Sequence, residues 1–570
     1  MVLVLSSLLV IASAAAPAAD ASAYPSHPAA DSTAIVKSVR SAQASFEGFR
    51  RNRLPRGESH GGECDVRIGR YCYWRGDEDI EDPPPEPLEI GMRRGELIAK
   101  LDSAAGELPG DGWIAAQRIR YLAEADRTDD ALLASEQCRA DRWWCAALGG
   151  YAAHVAGRFS TADSLYAVAL DAMPQNVRCE WMDIREIVDG ALEDRLKKAD
   201  CAAREATARR IFWFGAPFWS VSQTDLLTEH LARLTRARMV EKTASPDGVP
   251  WGNDIRTLML RYGWSRWFTR TEPAFGSTLQ PSITGHDAGM PYYFMPAPRT
   301  MDGGPREEKV EWRLDDPRAV SGYAPSYARS MHELTSQVAC FRRGDSTLVV
   351  AAWDVRRDST LVGRELDVAL VLAAPETVLT VDSLSKQRAV GRISAIAPRP
   401  VPWASLELRA PEDRRAGRLR VELAPQPSGR IQLSDLLLYA PTETQVADLA
   451  SARDEALGTD QVPASRAVGV FWELYGAAPQ GEDMRFALTV EQVEIGWRQR
   501  LAERLRFADP TTATRLEWQE RAQPADGIAP RGIRLDLGRL RAGRYRLELT
   551  TTARDGTVAT TSREIDVRQR

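Results

Sequence analysis

The histidines are the first residues to consider for chemistry, because imidazole serves as a general base and as a metal ligand near neutral pH. The chain has 570 residues and 6 histidines. The pairs Glu229-His230 and His286-Asp287 each place an acidic residue beside a histidine. Neighbouring side chains on a helix point about 100° apart, so Glu229 and His230 do not share a helix face. His286-Asp287, in a Gly-containing loop, is the better candidate for a polar site, and a loop-ordering hydrogen bond is the alternative.

The other histidines offer less. His27 and His60 fall in a weakly structured region, His154 falls inside a predicted repeat helix, and His332 precedes a predicted strand without a partner motif. We expect His154 to be packed or half-exposed on its helix and His332 to lie at the surface.

Asp254 and Arg256 form a second pair of candidates. The largely apolar stretch 256–262 predicts a strand, and Asp254 and Arg256 stand on one side of its start. A structural ion pair or turn cap at this point and a ligand clamp are both consistent with the spacing. The candidate polar site, without an assigned catalytic residue, comprises Glu229, His230, Asp254, Arg256, His286 and Asp287.

The motifs of the common enzyme classes are absent in the context they require. There is no H-E-x-x-H, G-x-S-x-G, Walker loop or dinucleotide fingerprint, and no Cys-x2-Cys pattern to suggest zinc. We therefore predict no metal and no cofactor. Ser-His-Asp and paired-carboxylate sites stay open, because folding brings their members together from distant positions.

The 7 cysteines suggest an oxidising compartment. Six of them fall into local pairs, which predict disulfides Cys64–Cys72, Cys138–Cys145 and Cys179–Cys201. The remaining residue, Cys340, lies in a strand-like stretch and is predicted to be a buried thiol.

The N-terminus also favours export. Val2–Ala16 is an apolar run followed by small residues, with Ala12-Ser13-Ala14 and Ala21-Ser22-Ala23 as cleavage candidates, although no basic residue precedes the run. The run is shorter than the roughly 20 residues that span a membrane, and no later stretch is apolar enough to do so. We expect a signal peptide at 1–23 and a periplasmic, cell-envelope or secreted protein without a transmembrane helix in its mature part.

Composition limits the partners. The net charge is −5 at pH 7, and acidic and basic residues are interspersed rather than gathered on a basic face. Such a chain is not expected to bind nucleic acid. Proteins or envelope components are the expected partners.

The pattern of elements predicts a multidomain fold, α then β. A tetratricopeptide-like helical region precedes a mixed α/β central domain and two β-sandwich-like domains. The predicted divisions are the signal peptide 1–23, a weakly ordered segment with the Cys64/Cys72 hairpin and a Pro-rich linker at 24–89, helices at 90–210, the central domain at 211–300, and β-sandwiches at 309–441 and 463–570.

One helix pair carries a recognisable repeat. Small residues would let its helices approach closely, aromatic residues would fill the groove, and a proline would end the second helix. The residues at these spacings are Gly150, Gly157, Phe159, Ala162, Tyr166, Ala169 and Pro174. A weaker copy upstream places the Cys138–Cys145 bond across an inter-helix corner.

The central region resembles the GWxTD-domain proteins, an exported bacterial family often built from helical repeats and β-sandwich segments. The resemblance rests on four segments, 228–233, 251–256, 260–263 and 284–287. In this chain the family's Gly-Trp is reversed as Trp251-Gly252 and its Thr is Asn253, while Asp254 and Arg256 are kept. The resemblance implies an architecture and an envelope setting and no reaction.

Three functional hypotheses follow. The first is an exported non-enzymatic protein-interaction or envelope scaffold protein that uses helical repeats and sandwich modules. The second is a secreted hydrolase of glycans or peptides with its site in 212–296, which requires Glu229, Asp254 and His286 to meet at one open cleft. The third is a structural subunit of an envelope assembly. The tryptophans of the same region could stack on sugars or pack between domains.

Overall fold

The computed structural model describes residues 29–57, 65–74, 84–188, 190–271, 282–286, 291–297, 314, 319–423, 429–441, 446–464, 467–493 and 514–569. Within this part the chain is helical first and β-rich afterwards, so the predicted fold class is confirmed. The predicted signal peptide, His27, His60, Cys64 and Asp287 lie outside the described residues. No helix of the described part combines the length and apolar character needed to cross a membrane.

The helical region begins earlier than predicted. A 23-residue helix, Ala29–Arg51, lies within the segment 24–89 that was expected to be weakly ordered, which corrects that expectation. Val39 and Phe46 are buried in the main helical core, and that burial stabilises the helix. The helices of the described part are α1 Ala29–Arg51, α2 Leu88–Glu107, α3 Gly112–Glu124, α4 Thr128–Glu136, α5 Arg142–Val155, α6 Phe159–Ala172, α7 Gln175–Trp181, α8 Gly190–Lys198, α9 Cys201–Gly215, α10 Asp225–Val240, α11 Asn253–Tyr262 and α12 Leu449–Asp454.

The predicted helix pair is α5 and α6. A Cβ on Gly150 would come within 2.9 Å of the Tyr166 ring, so glycine is needed where the helices approach. Gly157 turns the chain between them with φ of +71°. The disulfides Cys138–Cys145, which joins the α4 end to α5, and Cys179–Cys201 are both present, as predicted.

Residues 253–262 form the helix α11 and not the strand predicted for 256–262. Its short apolar centre is compatible with either structure, and the buried Met259, Leu260 and Tyr262 recur at helical spacing. Before it, the three-residue strands β1 (Val66–Ile68) and β2 (Tyr71–Tyr73) form the predicted hairpin, with Gly69 in its turn at φ of +54°.

Further strands build four stacked sheets and a small hairpin. Their bounds are β3 Trp267–Thr271, β4 Ser282–His286, β5 Ser330–Glu333, β6 Gln337–Arg343, β7 Ser346–Asp354, β8 Leu366–Ala374, β9 Thr377–Gln387, β10 Val390–Pro398, β11 Trp403–Ala410, β12 Arg415–Glu422, β13 Gln432–Leu433, β14 Leu437–Tyr439, β15 Gln461–Pro463, β16 Ala467–Tyr475, β17 Glu482–Gln492, β18 Thr514–Ala522, β19 Ile528–Asp536, β20 Gly543–Thr552 and β21 Val558–Arg568. Strands β3 and β4 pair with each other.

The four sheets lie one on another, starting from the helical region. The first has the order β5-β12-β11-β8-β9, the second β10-β7-β6, the third contains β13, β14, β16 and β19, and the fourth has the order β15-β21-β20-β17-β18. Along β7, Val349, Ala351 and Trp353 face the core shared with the first sheet, while Val350 and Ala352 face the core shared with β14 and β16. Inner strands are therefore apolar on both faces, which explains their unbroken apolar runs.

The boundary predicted between the sandwiches at 441–463 is too late. Strands β13 and β14 pair with β16 and not with the preceding sheets. Leu436 and Leu438 belong to the same core as Val470 and Trp472 of β16. The chain therefore enters the second sandwich by about residue 431, because these leucines complete its core.

Candidate functional site

The helix α10, which carries two of the predicted site residues, is buried on every side. Every residue from Asp225 to Ala237 is buried. It packs on α3, α5, α6, α9 and α11, so one broad face of the helix pairs is covered by the chain itself. Gln117 of α3 donates to Met239 O at 2.7 Å, and the Tyr166 and Thr235 hydroxyls lie 3.3 Å apart.

Glu229 lies in this interior. Its Oε1 accepts from Arg233 Nε at 2.6 Å and its Oε2 lies 2.7 Å from His154 Nε2. His154 Nδ1 lies 2.9 Å from Thr228 Oγ1. Burial raises the pKa of Glu229, but Arg233 and His154 outweigh that effect and hold it well below its usual value. Both carboxylate oxygens are therefore engaged, and His154 is a packed helical residue as expected.

Arg233 extends the same cluster to other segments. Its Nη1 donates to Leu260 O at 2.9 Å and Arg261 O at 3.0 Å, and its Nη2 donates to Gly322 O at 2.8 Å. These three carbonyls belong to the end of α11 and to the segment before β5. The guanidinium is thus a structural tie between three parts of the chain.

His230 points to the other side of α10, as the helix geometry predicts. Its Nε2 lies 2.9 Å from Trp181 O, and its Nδ1 has no hydrogen-bond partner among the described residues. Burial lowers the pKa of His230 to about 4, so the imidazole is neutral at pH 7. His230, Glu229 and Arg233 line a cavity of about 20 Å³, which has room for about one water and not for a substrate.

Asp254 and Arg256 bind different partners. Asp254 Oδ2 and Oδ1 accept from Arg70 Nε at 2.6 Å and Nη2 at 2.7 Å, which fastens the β1–β2 turn to the start of α11. Arg70 lowers the pKa of Asp254 well below its usual value. Arg256 pairs with Glu186 at 3.0 Å and Glu180 at 3.3 Å. The expected ion pair or turn cap at the entry to a strand is replaced by two links to other elements.

His286 is the last residue of β4, whereas a loop position had been expected. Its ring stacks on Trp267 at 3.7 Å between centroids, and its Nε2 lies 2.8 Å from Thr269 Oγ1. His332, expected at the surface, is partly buried, and its Nε2 lies against the Asp358 carboxylate.

The condition set for the hydrolase hypothesis is not met. Glu229 is bonded within the interior, Asp254 is clamped to the β1–β2 turn, and His286 is stacked on its own hairpin. Among the described residues, no group of three or more His, Cys, Asp or Glu side chains is placed to hold a metal ion.

Sequence reasoning did not single out Asp225. This buried residue starts α10, where its Oδ1 accepts from Leu226 N at 3.0 Å and its Oδ2 accepts from Tyr327 Oη at 2.8 Å. Burial raises its pKa to about 7, and the nearby Glu407 acts in the same direction. An acidic residue at a predicted helix start was the available signal, but its burial depends on the sheet that packs over it.

The tryptophan-rich stretch docks the helical region on the first sheet, as the packing alternative predicted. Trp213 and Trp219 stack at 4.8 Å between centroids, and Trp403 of β11 contacts Trp213 edge-on at 6.4 Å. Glu407 Oε1 and Oε2 accept from the backbone N–H groups of Trp219 and Ser220, each at 2.9 Å.

Two buried arginines of β12 complete this interface. Arg420 Nη1 donates to Phe214 O at 2.7 Å, and Arg418 Nη1 donates to Pro217 O at 2.8 Å. The Arg420 guanidinium also lies 3.6 Å from the centre of the Trp219 ring. The indole rings of Trp213 and Trp219 therefore pack between the helical region and the first sheet.

An open groove lies on the outer side of the helical region, along α1. Its volume is about 640 Å³, within the range of ligand sites. We call it the α1 groove; the described residues that line it are Ser32, Thr33, Val36, Lys37, Arg40, Leu108, Gly110 and Asp111. Sequence reasoning missed it because 24–89 was expected to be weakly ordered, although Val36, Val39 and Phe46 follow a helical period.

Neither a protein-family model nor a curated protein matches the chain. A Bacteroides uniformis β-glucuronidase aligns at a TM-score of 0.16 and 8% identity, covering 39% of this chain and 26% of that one. A second structure, B. uniformis β-glucuronidase 2 bound covalently to cyclophellitol-6-carboxylate aziridine, gives 0.15 and 8% over 39% and 26%. Red sea bream transglutaminase gives 0.14 and 11% over 41% and 32%. The chain spans less than a third of these enzymes, and at such TM-scores the likeness supports neither a fold assignment nor an activity.

Proposed function

We propose that this protein is an exported, non-enzymatic protein-interaction or envelope scaffold protein. One observation carries the proposal: Glu229, Asp254 and Arg256 are bonded to distant parts of their own chain, and the described candidate residues do not meet at an open cleft. Glu229 reaches α5, Asp254 reaches the β1–β2 turn, and Arg256 reaches the segment around Glu186. Polar groups used in this way position elements relative to one another.

The stacked architecture supports the same proposal. The helical region is pinned to the first sheet by buried charge-assisted hydrogen bonds, and the four sheets share cores in succession. Arg563 of β21 donates to Leu436 O at 2.7 Å and Val338 O at 3.2 Å, which links the fourth sheet to the strands beneath it. Such a stack holds its outer surfaces at fixed distances, as a scaffold must.

Export is part of the proposal, and the GWxTD resemblance of 211–300 agrees with it. The two disulfides support an oxidising compartment, since such bonds are rare in reducing cytosol. The test is to quench growing cells with acid, block free thiols, and map the peptides of the native protein. Oxidised Cys138–Cys145 and Cys179–Cys201 are expected, and free thiols at all four positions would contradict export.

The scaffold role is tested by crosslinking in intact cells that carry the chain natively, followed by purification of the full chain and mass spectrometry. We expect a reproducible partner of the envelope in stoichiometric amount. A purified chain that turns over glycan or peptide substrates, with activity lost in Glu229→Gln, would contradict the proposal in favour of the hydrolase.

A further inference from the structure

We propose that the α1 groove binds an extended acidic segment of a partner protein. This inference rests on the proposed scaffold function and names the surface and the partner chemistry. It concerns a surface that the candidate polar site does not include.

The charges of the groove are the first argument. Lys37 and Arg40 are exposed on α1, and among the described residues neither takes part in an ion pair or a side-chain hydrogen bond. Among the described lining residues the acidic one, Asp111, is already engaged, since its Oδ1 accepts from Trp113 N and Ile114 N at 2.9 Å each as the cap of α3. The two cations are therefore the groups available to a ligand, and they favour carboxylates.

Arg40 is also held in place. Its guanidinium lies 5.0 Å from the centre of the Trp113 ring, and Trp113 packs against the helical core. Stacking of this kind reduces the rotamer freedom that a long side chain would lose on binding. Arg40 is thus oriented before a ligand arrives.

Spacing favours an extended segment. Side chains three apart on a helix lie about 5–6 Å apart at Cβ, and alternate residues of an extended chain lie about 6.6 Å apart. Two acidic residues at alternate positions therefore match Lys37 and Arg40. Val36 and Leu108, both half-buried against the helical core, provide an apolar surface for a flanking aliphatic side chain.

The α1 groove lies on a different face of the helical region from the one that α10 covers. Helix α10 covers the inner face of the helix pairs, so a partner segment cannot use that face. The α1 groove opens to solvent and is accessible to a partner segment.

The test uses the full chain and a fluorescent peptide, Leu-Ser-Glu-Ser-Glu-Ser-Leu, in anisotropy titrations. We expect saturable binding that weakens with salt, no comparable binding of the peptide with Gln in place of both Glu, and at least about tenfold weaker binding by the double variant Lys37→Glu/Arg40→Glu. The matched control is Lys386→Glu/Arg388→Glu, which makes the same charge change at exposed positions where the chain passes from β9 to β10. This control should bind as the unaltered protein does.

Three results would overturn the assignment: no binding of the acidic peptide, equal binding by the groove and control variants, or preference for anionic lipid vesicles over the peptide. If the groove variant still crosslinks to the native partner, the scaffold function stands and the groove assignment fails. If neither form has a partner, the scaffold function itself fails.

Discussion

Two groups of charged residues in the described part of the helical region differ in whether they are buried and paired or exposed and unpaired. Around α10, charged groups are buried and each has a partner: Glu229 holds Arg233, and Glu124 accepts from Arg236 at 2.6 Å and from Arg50 at 2.9 Å. In the α1 groove, Lys37 and Arg40 face solvent without an ion pair in the described part of the chain. The type of a charged residue therefore does not show whether it belongs to the proposed binding surface. What distinguishes the two groups is whether each charge has an ion-pair partner among the described residues of the folded chain.

The stability of the protein should be more sensitive to substitution of the buried charges around α10 than to substitution of the exposed cations of the α1 groove. Arg233→Met removes the cation but leaves Glu229 buried, and breaking a buried pair in this way costs about 3–5 kcal/mol. We expect a correspondingly lower midpoint of urea unfolding. Arg238→Met is the control on the same helix, because Arg238 is exposed and stacks 4.9 Å from Trp143, and it should cost no more than about 1 kcal/mol. Equal effects of the two variants would contradict the distinction between interior and surface charges.

The buried Asp225 should make the stability of the protein depend on pH, unlike the exposed cations of the α1 groove. Its pKa is raised by burial to about 7, so the folded protein holds a proton that the unfolded chain releases near pH 4. Stability from this group is complete below about pH 4 and is lost as the pH rises to about 7. At about 1.4 kcal/mol per pKa unit, the loss amounts to a few kcal/mol.

Asp225→Asn should remove this dependence and make the protein more stable than the unaltered chain above pH 7. Unfolding midpoints measured between pH 4 and pH 8 test it, with the difference between the two proteins as the readout. Glu229 acts in the opposite sense, since its pKa is lowered and its contribution falls only in acid. A constant difference across the range would show that the pKa of Asp225 is not raised in the folded protein.

The two disulfides should each stabilise the helical region, by an amount that depends on the length of the loop they close. Cys179–Cys201 spans 22 residues and Cys138–Cys145 spans 7. Loop closure predicts that Cys179→Ser/Cys201→Ser costs about 3 kcal/mol and Cys138→Ser/Cys145→Ser about 2 kcal/mol. Thermal unfolding of both variants beside the oxidised protein measures the order, and the reverse order would show that closure entropy does not govern it.

The groove itself should give the smallest effect on stability. Lys37→Glu/Arg40→Glu alters two exposed residues without ion-pair partners in the described part of the chain and removes the stacking of Arg40 on Trp113, so the free energy of unfolding should change by no more than about 1 kcal/mol. Urea unfolding of this variant also verifies that any loss of peptide binding is not a loss of folding. A larger drop would mean that these cations belong to the structure rather than to a ligand.

Much of the fold could be predicted because its signals are local. The α5–α6 pair follows from a short pattern that includes Gly150 and Tyr166, and the local cysteine pairs predicted both observed disulfides. Helix α11 was mistaken for a strand because ten residues with an apolar centre satisfy either period. Helix α1 was missed because small residues obscured the recurrence of Val39 and Phe46.

The site could not be predicted in the same way. Glu229 and Arg233 lie one turn apart on α10, but this helix is buried on all sides only because α5, α6, α9 and α11 surround it. Asp254 meets Arg70 across 184 positions of sequence. Such contacts have no local signature.

The sequence by itself determined the order of helices and strands, the local disulfides and the lack of a concentrated basic face, because periodicity, spacing and composition act over short distances. Tertiary structure alone decided which charges are paired within the chain and which stay exposed for a partner. A side chain's burial and its bonds depend on what packs over it, and for Glu229, Asp225 and Lys37 that is settled by elements far away in the chain.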